Sequence, residues 1–511
     1  MPARIWDWKL ALALCLAALL LSCGSNGGGS LSFPVPPPLP PQTLTLADVQ
    51  SVVQNAVQSV DAPFAVAVTD RSGNILAVFQ KPGTPPTSIG NFSAVVDTNE
   101  LAVSLARTGA FFSNNQAPLS SRTVRFISGT HFPPGIQFVA NGALYGIENT
   151  NRGCPLNIPY LPGQSLPPAR SISGAALGLG IATGKVDVND SDQTAVDPGG
   201  VPLFKNGVLV GGVGVAGVAP NVAEFAAFSG AVGAGFGPNP APPGVVVIDG
   251  VSLPFVNQTT RPVGSNPGTI VGGYVVGPIA SPGPPPEGGL MAPQPGPIGG
   301  LTAAEVQSII TNAVDTASIT RAVIRLPLGS RARMAIAVAD LDGTIIGLHR
   351  MPDSTVFSID VAVAKARNMV YFNSPAGIGD LPGIPPGTAS TNRTISFGAQ
   401  PFFPPGIDGS GPGPFFFSLY QFDVANPCTQ GSQPPGPNQS GIVFFPGSVP
   451  LYRDGVLVGG LGISGDGVEQ DDFVANGGSL GFEAPLNIRA DQVFINGVRM
   501  PYLKFPRNPA Q

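Results

Sequence analysis

The sequence predicts an α+β chain in which one plan of helices and antiparallel hairpins is written twice, in tandem. Three observations carry that prediction. Blocks of the first half return in the same order in the second half. Asn-Gly and Asp-Gly pairs join β-branched runs, the strongest local signal for a two-residue hairpin turn. Glycine (68) and proline (58) make up about a quarter of the 511 residues, so much of the chain is loop. The glycines keep no three-residue period, which excludes collagen. With 43% hydrophobic and 11% charged residues, the chain is not wholly disordered either.

Each element has its counterpart. Residues 46–57 (LADVQSVVQNAV) return as 303–314 (AAEVQSIITNAV). The apolar stripes are Val49, Val52, Val53, Ala56, Val57 and Val306, Ile309, Ile310, Ala313, Val314, the spacing of an amphipathic helix. Thr45-x-x-Asp48 and Thr302-x-x-Glu305 supply the capping signals. Next come hairpins, 65–79 and 335–349, and a second helix at 99–107 and 360–367. Long Pro/Gly-rich excursions, 111–195 and 374–445, each contain the string FPPGI. The clearest match follows, 201–217 with 449–465, turning at Asn206-Gly207 and Asp454-Gly455. A short helix (222–228; 469–475) and a closing hairpin (245–256; 492–505) complete each copy. The expected domains are therefore 44–263 and 301–507, joined by a Pro/Gly linker at 264–300.

Charge and composition narrow the function classes. A net charge of −5 and a pI near 5.1 argue against a nucleic-acid partner. Two histidines rule out a His-rich metal site and leave little room for a Ser-His-Asp triad.

Residues 1–22 read as a signal peptide: Arg4 and Lys9, then 13 mostly apolar residues, too few for a mature membrane span. Leu20-Leu21-Ser22-Cys23 resembles a bacterial lipobox, so Cys23 is expected to carry a lipid anchor in the membrane, an ordinary secretory signal being the alternative. Gly24 matches the pattern sent to the outer membrane, and residues 23–43 form a flexible tether. The expected location is exported, as an outer-membrane or periplasm-facing lipoprotein of the cell envelope. In an oxidising compartment Cys154 and Cys428 can pair; two buried thiols are the alternative.

The second copy carries Leu301-Thr302, Val338–Gly343, His349-Arg350-Met351, Ala364-Lys365-Ala366, Pro446–Pro450, Asp454–Gly465 and Gln470–Ala475. In these residues it resembles the GlcG/HbpS-like haem-degrading family, which also supplies the C-terminal domain of PduO. The first copy keeps Pro198–Pro202 and the glycine-rich hairpin, but has Gln80-Lys81 and Ala223-Glu224 where the second has Arg350-Met351 and Asp471-Asp472. The resemblance implies two profilin-like domains, each an antiparallel sheet of about five strands flanked by helices, and members that assemble as oligomers. It implies haem or tetrapyrrole as the ligand. One departure stands out: Pro352-Asp353 replaces the family's Asp-Gly after Arg350-Met351.

On that footing His349 is the candidate haem ligand and metal-binding residue, with Arg350 pairing a propionate. Gly462, Ser464 and Gly465 lead into a helix whose free amides suit an anion. The G-x-G-x-x-G runs at Gly212–Gly217 and Gly460–Gly465 sit on antiparallel hairpins, so helix packing on glycine accounts for them better than a dinucleotide. Asp471 and Asp472 form an acidic pair that suits acid-base work, or simply favours the first turn of a helix. The preferred reading is a lipid-anchored, non-enzymatic binding protein whose two copies dock as an intramolecular pseudo-dimer or whose chains form a homo-oligomer. The alternative is a structural or interaction module of the envelope without a small-molecule ligand. Enzymatic activity, if present, would be haem-degrading or redox-related.

Overall fold

The computed structural model describes residues 41–158, 170–174, 177–185, 196–238 and 246–510. The expected signal peptide, Cys23 and nearly all of the tether lie outside them. Among the described residues no helix is long and apolar enough to cross a membrane. Helix α1 (Leu46–Ser59) starts on a capping box: Thr45 Oγ1 accepts from the Asp48 amide, and the Asp48 carboxylate accepts from the Thr45 amide. Its stripe from Val49 to Val57 is buried. Strands β1 (Ala65–Asp70) and β2 (Ile75–Gln80) form a hairpin, followed by the short ribbon β3 (Thr87–Ile89) and β4 (Val95–Asp97). Helices α2 (Thr98–Phe112) and α3 (Ser121–Phe126) lead into the first excursion. Strands β5 (Gly200–Lys205) and β6 (Val208–Ala216) meet at Asn206 and Gly207, both at positive φ, before helix α4 (Pro220–Gly233) and a two-residue ribbon, β7 (Val247–Ile248) with β8 (Val251–Ser252).

Between the halves lie β9 (Gly273–Val276) and β10 (Gly288–Met291). The second half then repeats the order: α5 (Ala303–Ile319), β11 (Met334–Ala339), β12 (Ile345–Arg350), α6 (Phe357–Phe372), α7 (Asn392–Gly398), β13 (Ser448–Arg453), β14 (Val456–Gly465) and α8 (Val468–Gly478). A ribbon of β15 (Phe494–Ile495) and β16 (Val498–Arg499) ends it.

Two antiparallel five-stranded sheets result, ordered β5-β6-β1-β2-β9 and β13-β14-β11-β12-β10. The registers correspond strand by strand, down to bulges at Val68/Thr69 and Val338/Ala339 and at Leu203/Phe204 and Leu451/Tyr452. On one face of each sheet a helix lies against glycine. A Cβ on Gly212 or Gly214 would stand 2.0 Å from the carbonyl oxygen of Ala106 or Ala102, and one on Gly460 or Gly462 would stand 2.3 or 2.1 Å from that of Ala366 or Ala362. These contacts put Leu105 of α2 at the position that Lys365 holds in α6.

The fifth strands correct two expectations. The closing hairpins stand apart as two-stranded ribbons, and the stretch expected to be a linker supplies both outer strands instead. Without them, β2 and β12 would leave rows of unpaired backbone donors and acceptors at the sheet edges.

The two halves dock. Phe112 at the end of α2 stacks on Phe357 at the start of α6, centroids 4.3 Å apart. Residues of both halves share one apolar core. Asp353, in the turn after β12, accepts from Arg71 at 2.7 Å, from Arg325 at 2.6 Å and from the Asn115 amide at 3.2 Å. Burial opposes its charge, yet Arg71 and Arg325 hold the carboxyl below its ordinary value. The Pro352-Asp353 departure is thus an interface device. The excursions interlock as well: His131 bonds Asp408 at 2.9 Å, Arg152 pairs with Asp423, and Cys154 is disulfide-bonded to Cys428.

Candidate functional site

The C-terminal end of β14 and the start of α8 open onto a cavity of about 560 Å³ between the halves. Its floor is Ser464 and Gly465, its sides Phe357 and Phe445 of the second half. The first half closes it with Phe112, Leu119, Ile127 and Leu144. The C-terminal segment returns across the mouth, placing Lys504 and Arg507 there beside Arg321. Arg321 donates from its amide to the Pro509 carbonyl and from its guanidinium to the Arg507 carbonyl, while its Nε has no partner. Lys504 is paired with Glu469.

Beneath this floor sits a buried ion pair. Lys365, fully enclosed in α6, donates to the Ile463 carbonyl at 2.7 Å and to Asp471 Oδ2 at 3.1 Å, and lies 4.8 Å from the Phe445 ring centre. Asp471 lines the cavity, and its Oδ1 has no hydrogen-bond partner. Burial pushes the Asp471 carboxyl up to about 7, with Lys365 pulling the other way. Burial likewise lowers the Lys365 ammonium, against the pull of Asp471. Asp472 points to a different partner, pairing with Arg393 and accepting from the Lys504 amide at 3.0 Å. The acidic pair is therefore split, each carboxylate tying α8 to a separate element.

The sequence-predicted residues do not converge. Arg350 pairs across the sheet with Ala335, on the α6 face, whereas His349 pairs with Ile336, on the α5 face. Successive strand residues point to opposite sides, so the two cannot grip one ligand. Arg350 is also committed internally: it donates to the Ser354 and Pro286 carbonyls. His349 is half-buried, its imidazole lowered by desolvation, and does not line the cavity. Gly462 is filled by the α6 backbone, which leaves Ser464, Gly465 and Asp471 as the predicted residues in the cavity wall. Ser464 Oγ bonds Ser358 at 3.2 Å. Among the described residues no cluster of three or more His, Cys, Asp or Glu side chains is placed to hold a metal ion. Lys365 belongs to the Ala364-Lys365-Ala366 stretch that carries the family resemblance, but nothing in the sequence marks it as a site residue; a lysine within the apolar stretch Val361–Ala366 was the available signal.

The first half holds a corresponding cavity of about 440 Å³, at the end of β6 and the start of α4. Leu105 and Ala223 line it where the second half has Lys365 and Asp471. Asp197 also lines it; burial raises its carboxyl to about 7, and its Oδ2 has no partner.

These features define an α+β sandwich whose pocket lies where a glycine-rich hairpin runs into a helix. Residues 301–479 match the family described as haem degrading protein HbpS-like. The corrinoid adenosyltransferase PduO of Salmonella typhimurium is 27% identical over 161 residues, 32% of this chain and 35% of that protein, so the match spans about a third of the relative's length. Among solved structures, the complex of PduOC with heme is 24% identical over 36% of this chain and 94% of its own, with a TM-score of 0.24. A double mutant of HbpS from Streptomyces reticuli is 18% identical over 35% and 85%, with a TM-score of 0.22.

Proposed function

We propose that the chain is an exported, lipid-anchored binding protein of the cell envelope, built from two tandem GlcG/HbpS-like domains docked as a pseudo-dimer. Its ligand is haem or a related tetrapyrrole, held in the cavity between the halves. One observation carries this reading: apolar and aromatic walls drawn from both halves enclose about 560 Å³, with Arg321 and Arg507 at the mouth. The family supplies the ligand class. The walls fit a planar macrocycle, and the guanidinium groups fit its carboxylates. The lining does not fit the iron: His, Cys, Met and Tyr, the usual axial ligands, are absent from its described residues.

Titration of the mature protein with haemin tests the proposal. A saturable Soret shift is expected, lost when Ala143→Trp fills the cavity. Absence of a shift in the parent protein overturns the tetrapyrrole reading and favours the structural-module alternative. That alternative draws support from Arg350, Asp471 and Asp472, each engaged in internal bonds.

A further inference from the structure

Resting on that reading, we propose that residues 320–333 form the recognition arm of the cavity, and that Gln116 of the first half is a positioning residue acting through this arm on Arg321. Five residues, 60–64, join α1 to β1 in the first half, whereas fourteen, 320–333, join α5 to β11 in the second. The longer connection folds back on itself as a narrow ribbon. The Ala332 amide donates to the Thr320 carbonyl at 2.9 Å, and the Ala322 amide to the Ser330 carbonyl at 2.8 Å. The outgoing limb of the ribbon supplies Arg321, Val323 and Ile324 to the cavity wall. The first cavity has no such arm, and neither arginine nor lysine is among its described lining residues.

The tip of the arm is held by the other half. Gln116 donates to the Leu326 carbonyl at 2.5 Å and to Ser330 Oγ at 3.1 Å, and accepts from the Arg325 guanidinium at 3.2 Å. Asn114 donates to the Ile324 carbonyl at 3.0 Å. A two-stranded ribbon is marginally stable on its own, so contacts at its tip help to fix where its limbs stand. Nearer the base the arm is tied within the second half, the Val323 amide donating to the Asp466 carbonyl at 2.8 Å. Losing the tip contacts therefore shifts Arg321 without releasing it. A carboxylate-bearing ligand is met by a cation that the second half carries and the first half positions.

The test is haemin titration of the full mature chain and three variants, at low and at high salt. Arg321→Gln is expected to weaken binding about tenfold, the worth of one charge-assisted hydrogen bond. It is also expected to reduce the salt dependence that a cation at an open mouth confers. Gln116→Ala, a change at an exposed side chain, is expected to weaken binding about threefold, the worth of one neutral hydrogen bond. It should reduce the same salt dependence in part and leave the denaturant midpoint unchanged. Gln116→Ala/Arg321→Gln is expected to bind no more weakly than Arg321→Gln, because a residue that acts through another adds nothing once the other is gone. Additive losses in the double variant, or unaltered affinity and salt dependence in Gln116→Ala, overturn the positioning role while leaving tetrapyrrole binding intact. Failure of the parent chain to bind haemin overturns both.

Discussion

The two halves run the same strands in the same order and register, yet they solve one buried position differently. Leu105 and Ala223 make an apolar contact region in the first, where Lys365 and Asp471 make an ion pair in the second. The first half closes without this ion pair, its buried carboxyl coming instead from Asp197 in the same cavity wall. Two ions taken out of water rarely gain more than a well-packed apolar pair of similar size. The ion pair is thus what sets the second cavity apart from the first. The neighbouring position behaves in the opposite way: Arg122–Glu224 and Arg393–Asp472 recur in both halves, as expected of a bond that ties the same two helices together.

That contrast can be broken by substitution. Asp471→Ala leaves Lys365 buried and uncompensated, and is expected to cost about 3–5 kcal/mol in denaturant unfolding. Lys365→Leu/Asp471→Ala is expected to recover to within about 1 kcal/mol of the parent protein or to exceed it. A double variant as unstable as the single would show that the ion pair is structural after all. The junction between the halves is tested next. Reducing Cys154–Cys428, which closes a loop of 274 residues, is expected to lower stability by about 2–4 kcal/mol. Unchanged unfolding after complete reduction would mean that packing and the Arg152–Asp423 and His131–Asp408 contacts hold the excursions together without it.

The last expected effect is a pH slope. Burial raises the Asp471 carboxyl from 3.8 to about 7, so between those values the folded chain holds a proton that the unfolded chain lacks. Its contribution to stability is therefore greatest below about pH 4 and declines as pH rises towards 7. A single proton limits the slope to about 1.4 kcal/mol per pH unit. Asp471→Asn is expected to flatten it, and a slope of the same steepness in that variant would assign it to Asp197 and Asp360, which burial also raises to about 7.

Much of the fold was legible because its signals are local. The stripe Val306, Ile309, Ile310 and Ala313 is buried as its spacing demands, Thr302 and Glu305 cap the helix that carries it, and Asp454-Gly455 turns at φ of 51° and 79°. The glycine-rich runs suit close helix packing, and the α2 and α6 backbones lie on them. The site was far less legible. His349 and Arg350 looked like partners because they are adjacent in sequence, and adjacency in a strand places them on opposite faces. The outer strands β9 and β10 were hidden in a stretch rich in proline and glycine, where pairing depends on a free edge supplied by another element.

By itself, then, the sequence determined the helices, the hairpins and their duplication, since caps, turns and apolar periods act within a few residues of one another. The tertiary structure alone decided which edges the connecting stretch would complete, how Asp353 locks onto Arg71 across the junction, and that Phe112 of one half would wall a cavity floored by Ser464 of the other. Those outcomes depend on shape complementarity and on charges brought together from distant parts of the chain, and no local pattern encodes either.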